Sequence, residues 1–127
     1  MKRPLERGAV SAELVLVVPL LMTLLLLIVQ FALALHAQHI AQTAASRALA
    51  AARAQHATAA AGDARAAATL RLLGGRILTH PTVKVSRGAE KVVTHIEGEV
   101  VAVVPGLHLR VAGNAAGPTE RWAAQTG

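Results

Sequence analysis

The strongest pattern in the chain is an apolar run from Leu14 to Leu35, interrupted only by Pro19, Thr23 and Gln30. The run contains 22 residues and no Asp, Glu, Lys or Arg. As a helix it would extend about 33 Å, and the hydrocarbon layer of a bilayer is about 30 Å thick. The pattern predicts one membrane-spanning helix, too long for an ordinary secretory signal. We expect any kink at Pro19 to be tolerated.

An alanine-rich stretch follows the apolar run. Ala fills 15 of the 25 positions from 44 to 68, and Ala has the highest helix propensity. We expect the helix to leave the membrane and continue, with a break at Gly62–Asp63 and an end at Gly74–Gly75. Because small residues allow helices to approach closely, this stretch favours contacts with other subunits. A solvated stalk is the alternative.

Beyond residue 74 the apolar positions alternate with polar ones. In Lys91–Val104, one face carries Val92, Thr94, Ile96, Val100, Ala102 and Val104, and the other carries Lys91, His95, Glu97 and Glu99. Such alternation predicts an antiparallel sheet with one apolar and one wet face. We expect Ala64–Leu73 to cover the apolar face.

The predicted fold class is α+β, with a long N-terminal transmembrane and stalk helix followed by a small antiparallel β-sheet. The predicted parts are an N-terminal segment (1–8), a transmembrane helix (9–35), an Ala-rich extracytoplasmic helix (36–73), a β-rich region (74–112) and a loose tail (113–127).

Composition excludes several classes of function. The net charge is +6, but one Phe, one Trp and no Tyr leave no aromatic interleaving for base stacking, so nucleic acid is not expected. No nucleophile motif, phosphate loop or plausible acid pair suggests an enzyme or a small-molecule substrate. We expect no cofactor and no metal: Cys is absent, and His36 and His39 have no acid close by in sequence.

Charges around the apolar run indicate orientation. Lys2, Arg3 and Arg7 precede the run, whereas the first Lys or Arg after it is Arg47. The positive-inside bias places the N-terminus in the cytoplasm and the C-terminus outside it. The expected location is the cytoplasmic (inner) membrane.

The residues before the run form a further pattern. A basic segment ends at Gly8, Ala9 follows, and Glu13 stands five residues after the glycine at the start of the run. By position alone, Glu13 is an acid that complements the helix dipole. The whole pattern resembles a type IV prepilin leader. The resemblance implies cleavage between Gly8 and Ala9 by a prepilin peptidase, and pairing of Glu13 with the new amine of a neighbouring subunit.

The order of parts resembles the TadE-like family of tight-adherence (Flp) pilus systems, most specifically over Arg7–Arg53. The Flp pilins of this family usually have Tyr after the acid, where this chain has Leu14, and mostly lack a β-rich extension. These departures favour a minor pilin or pseudopilin that acts in pilus assembly or in a related secretion system. The implied partners are the membrane, the prepilin peptidase and other pilin or pilus-assembly subunits. The resemblance also implies a location in the pilus or at the cell surface after assembly.

Two other interpretations stay open. The chain could be an uncleaved single-pass anchor that displays a β-rich binding module. It could also be a secreted protein cleaved near Ala34, because Ala32-Leu33-Ala34 resembles a signal-peptidase site.

Overall fold

The computed structural model describes residues 4–54 and 57–119. The elements in chain order are α1 (Pro4–Arg53), α2 (Ala59–Thr69), a π-helical turn (Leu70–Gly74), β1 (Leu78–Arg87), β2 (Lys91–Val100) and β3 (Arg110–Pro118). A long N-terminal helix is thus followed by a three-stranded antiparallel sheet. The predicted α+β fold class is confirmed.

Helix α1 has 50 residues and is continuous through Pro19. At the standard rise it is about 75 Å long. Thr23 Oγ1 donates a hydrogen bond to the Pro19 carbonyl at 2.9 Å. Side chains from Gly8 to Val29 are exposed, apart from the half-buried Leu27, whereas Gln30 and one face beyond it are buried. We call residues 8–29 the apolar half of α1. The head comprises residues 30–53 together with 57–119.

The sheet has β2 at its centre, paired antiparallel with β1 and β3. The register places Ile96 beside Val83 on β1 and beside Gly113 on β3. Burial alternates along β2, as the sequence predicts. The buried positions are Val92, Thr94, Ile96, Gly98 and Val100.

The core lies between the sheet and the second half of α1. A stripe of alanines on α1 is fully buried: Ala37, Ala41, Ala44, Ala45, Ala48 and Ala52. The backbones approach so closely that a Cβ on Gly113 would lie 2.3 Å from the Ala41 carbonyl oxygen. Thr94 Oγ1 also donates to the Ala45 carbonyl at 2.8 Å. Small side chains therefore replace the missing aromatics as the means of making a dense core.

The expectation that Ala64–Leu73 covers the apolar sheet face holds only at β1, which α2 and the π-helical turn contact. Helix α1 covers β2 and β3, because its alanine stripe lets the sheet come nearer than bulky side chains would. Helix α2 packs beside it, against α1 and β1. A Cβ on Gly62 would lie 2.9 Å from Val85 Cγ1 and 3.0 Å from Ala52 Cβ.

The expected break at Gly62–Asp63 is wrong. Helix α1 ends at Arg53, and α2 begins after Thr58, whose Oγ1 accepts a hydrogen bond from the Ala61 amide at 3.2 Å. Gly62 lies inside α2, where α2 approaches α1 so closely that only a residue without a side chain fits. A packing glycine and a capping glycine look alike in a sequence.

Two strand boundaries differ from the expectation. Strand β2 ends at Val100 rather than Val104, because Gln30 binds the backbone that follows. The tail is not loose from residue 113, because β3 continues to Pro118. At Gly113 the backbone of α1 leaves no room for a side chain, whereas a Cβ on Gly117 would lie 3.3 Å from Arg53 Cδ. Residues 120–127, the rest of the expected tail, lie outside the described residues.

Candidate functional site

The apolar half of α1 is exposed on every side. Leu16, for example, is 75% exposed, and Leu20 is 67% exposed. A helix that is apolar all round must be buried in something, either a protein core or lipid. Among the described residues, one helix is long and apolar enough to cross a membrane, and its candidate span is Gly8–Arg53. Its apolar, exposed half fits a single-pass membrane anchor.

Gly8 and Ala9, the predicted processing site, lie near the start of α1, and both are exposed. A Cβ added to Gly8 would meet nothing within 4 Å. Within the described residues the fold therefore gives no steric reason for glycine at this position.

Glu13, the predicted pairing residue, is exposed on the same helix. It stands at i+4 from Ala9, so the two share a face about 6 Å apart along the axis. Glu13 is the only Asp, Glu, Lys or Arg between Gly8 and Arg47. The structure thus gathers the three predicted residues at one end of the apolar half.

Gln30 marks the opposite end of the apolar half, and sequence reasoning treated it only as an interruption. Its side chain is fully buried. Its Nε2 donates to the Val101 carbonyl at 3.0 Å, and its Oε1 accepts from the amides of Val103 and Val104 at 2.6 and 3.1 Å. One glutamine thus holds the loop after β2 against α1. We call this arrangement the Gln30 clamp.

Two further glutamines bind the free edge of β3. Gln38 Nε2 donates to the Ala112 carbonyl at 2.6 Å, and Gln38 Oε1 accepts from the Ala112 amide at 3.3 Å. Gln42 makes the same pair of bonds with Asn114, at 2.8 and 3.2 Å. The spacing fits because four helical residues rise about 6 Å and two strand residues about 6.6 Å.

Gln38 and Gln42, which we call the glutamine ladder, bind the outer backbone groups of β3 as a fourth strand would. An unpaired strand edge is a template for pairing with other chains, and proteins usually protect it. At the C-terminal end of α1, Arg53 Nε donates to the Pro118 carbonyl at 2.7 Å, which extends the protection of the β3 edge. The sequence signal was present as two Gln residues at i and i+4, but only the structure shows their target.

The wet face of the sheet carries a charged network. Glu97 Oε1 lies 2.6 Å from His95 Nε2, and Glu97 Oε2 accepts from Arg110 at 3.3 Å. His95 Nδ1 also contacts Asn114 Oδ1. Hydrogen bonds to Glu97 and Asn114 raise the pKa of His95 above its ordinary 6.5. The hydrogen bond from His95 lowers the pKa of Glu97 below its ordinary 4.5.

No group of three or more His, Asp or Glu side chains suitable for a metal occurs within residues 4–54 and 57–119. His36 and His39 line a shallow cavity with Ile40, Thr43 and Leu73. That lining offers two imidazoles and no carboxylate, which is a poor donor set for a metal.

The architecture defines an α+β protein with a single apolar N-terminal helix and a small head built on the continuation of that helix. Residues 8–53 match the family model described as TadE-like protein. The TadE-like resemblance is therefore confirmed over the helix. No curated protein and no solved structure matches the chain.

The family of the matching model is associated with Tad pilus systems. The family is a pilus-associated structural one and is not known for enzymatic activity. Together with the apolar helix, this points to membrane and pilus-assembly partners. The matched region ends at Arg53, so the sheet lies outside it.

Proposed function

We propose that this protein is a minor pilin or pseudopilin of a tight-adherence (Flp) type IV pilus or a related secretion system. In this proposal a prepilin peptidase cleaves it after Gly8, and it acts in pilus assembly. The observation that carries the proposal is the sharp division of α1. The described side chains from Gly8 to Val29 are exposed apart from the half-buried Leu27, and the packed head begins at Gln30.

The length of the apolar half supports a membrane span. From Ala9 to Gln30 the helix rises about 32 Å, and the hydrocarbon layer is about 30 Å thick. Leu33 and Ala34 pack against the core of the head. We therefore place the outer end of the span near Gln30 rather than at Leu35, with the head standing directly on the membrane.

This placement gives Glu13 a definite depth. Glu13 lies about 26 Å below Gln30, so its carboxylate would sit roughly 4 Å inside the cytoplasmic face of the hydrocarbon layer. An ionised carboxylate there is costly unless a positive group pairs with it. The new amine at Ala9 of a neighbouring subunit is such a group, and pairing would favour assembly.

The processing step is hydrolysis of the peptide bond between Gly8 and Ala9. Water adds across the bond, leaving a carboxylate on Gly8 and an ammonium group on Ala9. The scissile bond lies within α1, so we expect the first turns to open when the peptidase binds. Glycine eases this opening, because it is about 1 kcal/mol less favourable than Ala in a helix.

Flanking charges support a cytoplasmic N-terminus and an extracytoplasmic head in the inner membrane. Lys2, Arg3 and Arg7 lie before the span, and the next Lys or Arg is Arg47. Cleavage after Gly8 removes all three basic residues and keeps the anchor. Flp pilins usually have Tyr where this chain has Leu14, and they mostly lack a β-rich extension. Both departures favour a minor subunit over a major pilin.

Mass spectrometry of the protein purified from its own host tests the processing. The wild-type chain should begin at Ala9, and Gly8→Leu should keep its leader. Ala12→Leu places the same side chain at another exposed position of α1 and should be processed normally. An intact Met1, or a mature N-terminus elsewhere in the wild type, would refute the prepilin proposal.

The role of Glu13 is tested separately. Glu13→Gln removes the charge and keeps the shape, so the processed chain should remain in the membrane and be lost from pili. Glu13→Asp keeps the charge and should retain part of the incorporation. Equal amounts of Glu13→Gln and wild-type protein in sheared pili would contradict the pairing.

The two alternatives are a secreted protein cleaved near Ala34 and an uncleaved, membrane-anchored binding module. Cleavage near Ala34 would cut α1 where Leu33 and Ala34 pack against the core, and it would remove Gln30 from its loop. The structure therefore disfavours a secreted product. An uncleaved binding module would use the wet sheet face, so His95 and Glu97 variants would lose partner binding while Gly8→Leu had no effect.

A further inference from the structure

We propose that the loop Val101–Leu107, which joins β2 to β3, is a second membrane contact that lies in the outer interface of the bilayer beside α1. This inference rests on the proposed membrane anchor and adds to it a second point of attachment. The loop would prevent the head from tilting away from the lipid surface around a single helix.

Composition is the first support. Residues 101–107 read Val-Ala-Val-Val-Pro-Gly-Leu, without a charged or hydrogen-bonding side chain. Ala102, Val103, Pro105 and Gly106 are exposed. Val103 is one of the large apolar side chains that are exposed among the described residues. Most of the others lie on α1 between Val10 and Leu35, and the exceptions are Leu72, Leu73 and Val93.

Position is the second support. Strand β2 runs antiparallel to α1, with Thr94 bonded to Ala45 and Val101 bonded to Gln30. The loop is therefore the end of the sheet nearest the span. The Gln30 clamp holds it where the exposed apolar surface of α1 begins, so the two apolar surfaces are continuous.

The backbone of the loop is also suited to lipid. Four of its amides are hydrogen-bonded: Val101 to the Ile77 carbonyl, Val103 and Val104 to Gln30, and Leu107 to the Val104 carbonyl. Pro105 has no amide hydrogen. Because unpaired backbone groups are what excludes irregular chain from lipid, this pairing reduces the free-energy cost of insertion.

The opposite end of the sheet provides an internal contrast. The turn between β1 and β2 is flanked by Arg87, Glu90 and Lys91, which are typical of a surface that faces water. The β2–β3 loop carries no charge until Arg110, apart from His108. Of these two strand connections, the one at the level of the span is apolar and the distant one is charged, as the proposed membrane contact requires.

Single-cysteine labelling of the full chain in liposomes tests the inference, and the absence of native Cys makes it direct. An environment-sensitive fluorophore is attached to Val103→Cys, to Leu20→Cys in the apolar half, or to Glu90→Cys in the distal turn. Quenching by lipids with a doxyl group near the headgroup or deep in the acyl chain reports depth. We expect Val103 to be quenched by the shallow group, Leu20 by the deep group, and Glu90 by neither.

The outcomes separate this inference from the anchor on which it rests. If Leu20 is quenched and Val103 behaves like Glu90, the loop is not a membrane contact and the anchor stands. If Leu20 is not quenched either, the anchor itself fails. A blue shift at Val103 without lipid quenching, growing with protein density, would overturn the inference in favour of a contact between copies.

Discussion

Replacing Gln30 by Leu should detach the β2–β3 loop from α1. The substitution keeps an apolar side chain of similar size on the helix and removes three hydrogen bonds to Val101, Val103 and Val104. In the variant, the amides of Val103 and Val104 lose their hydrogen-bond acceptor, which is Gln30 Oε1 in the wild type. The span itself becomes more apolar, so membrane insertion should not suffer.

The magnitude follows from the three bonds. A hydrogen bond contributes about 1 kcal/mol net, and a buried group left unpaired loses about 1–3 kcal/mol. Partial rehydration of the released loop limits the loss, and we expect Gln30→Leu to lower the free energy of unfolding of the head by about 2–4 kcal/mol. Small domains have about 5–15 kcal/mol in total. The variant should therefore fold, with a visibly lower melting temperature.

The assay is thermal unfolding in detergent micelles, combined with hydrogen exchange of the amides of Val103 and Val104. Both amides should exchange faster in Gln30→Leu, whereas those in β2 should keep most of their protection. Phe31→Leu, an exposed neighbour on the same helix, is the matched control and should leave both measurements unchanged. Unaltered melting and unaltered protection in Gln30→Leu would refute the clamp as an energetic feature.

Three other changes test the packing and electrostatics of the head. Gly113→Ala would place a Cβ 2.3 Å from a carbonyl oxygen of α1 and should destabilise the head by at least about 1–3 kcal/mol in denaturant unfolding, whereas Gly88→Ala, whose nearest neighbour is at 3.4 Å, should be mild. Ser46→Gln continues the i, i+4 spacing of the glutamine ladder along α1 and should stabilise the head by up to about 1 kcal/mol. Since the pKa of His95 is raised and that of Glu97 lowered, the contribution of His95 should be present below pH 6.5 and be lost as pH rises through its folded pKa. That of Glu97 should be present above pH 4.5 and be lost as pH falls through its folded pKa, so the pair should stabilise most between these values.

Each of these predictions has a contrary outcome. Equal unfolding midpoints for Gly113→Ala and Gly88→Ala would mean that the sheet and α1 are less closely packed than described. A neutral or destabilising Ser46→Gln would show that the ladder ends at Gln42 for geometric reasons. For the charged pair, His95→Gln should flatten the pH dependence of the melting temperature above pH 6.5, and an unchanged slope would remove His95 as its cause.

Patterns of apolar and polar residues along the sequence predicted the apolar N-terminal helix and the buried face of β2. Alternation along β2 showed which of its side chains are buried, because a strand with one covered face has a period of two. The apolar run showed the anchor, because length and lack of charge suffice for that inference. Gly8, Ala9 and Glu13 were selected by resemblance, and the structure places them together at the exposed start of α1.

Long-range packing was not predictable in the same way. Nothing local says that the alanine stripe of α1, rather than α2, covers the sheet, since both segments are rich in Ala. The continuation of strand β3 beyond Ala112 was missed, because Gly and Ala are poor strand formers, and here they are needed for close approach to α1. Gln30 looked like an imperfection of the span, because its hydrogen-bond partners lie 71 to 74 residues away.

The division of α1 also explains how the proposed processing could leave the folding of the head unaffected. The first buried contact of the head is at Gln30, about 33 Å along the helix from Gly8. Cleavage after Gly8 therefore removes no contact within the described head. The same helix provides most of the cover for the sheet, so the head cannot separate from its anchor without losing its core. Any displacement of the anchor, whether out of the bilayer or into a fibre, must carry the sheet with it.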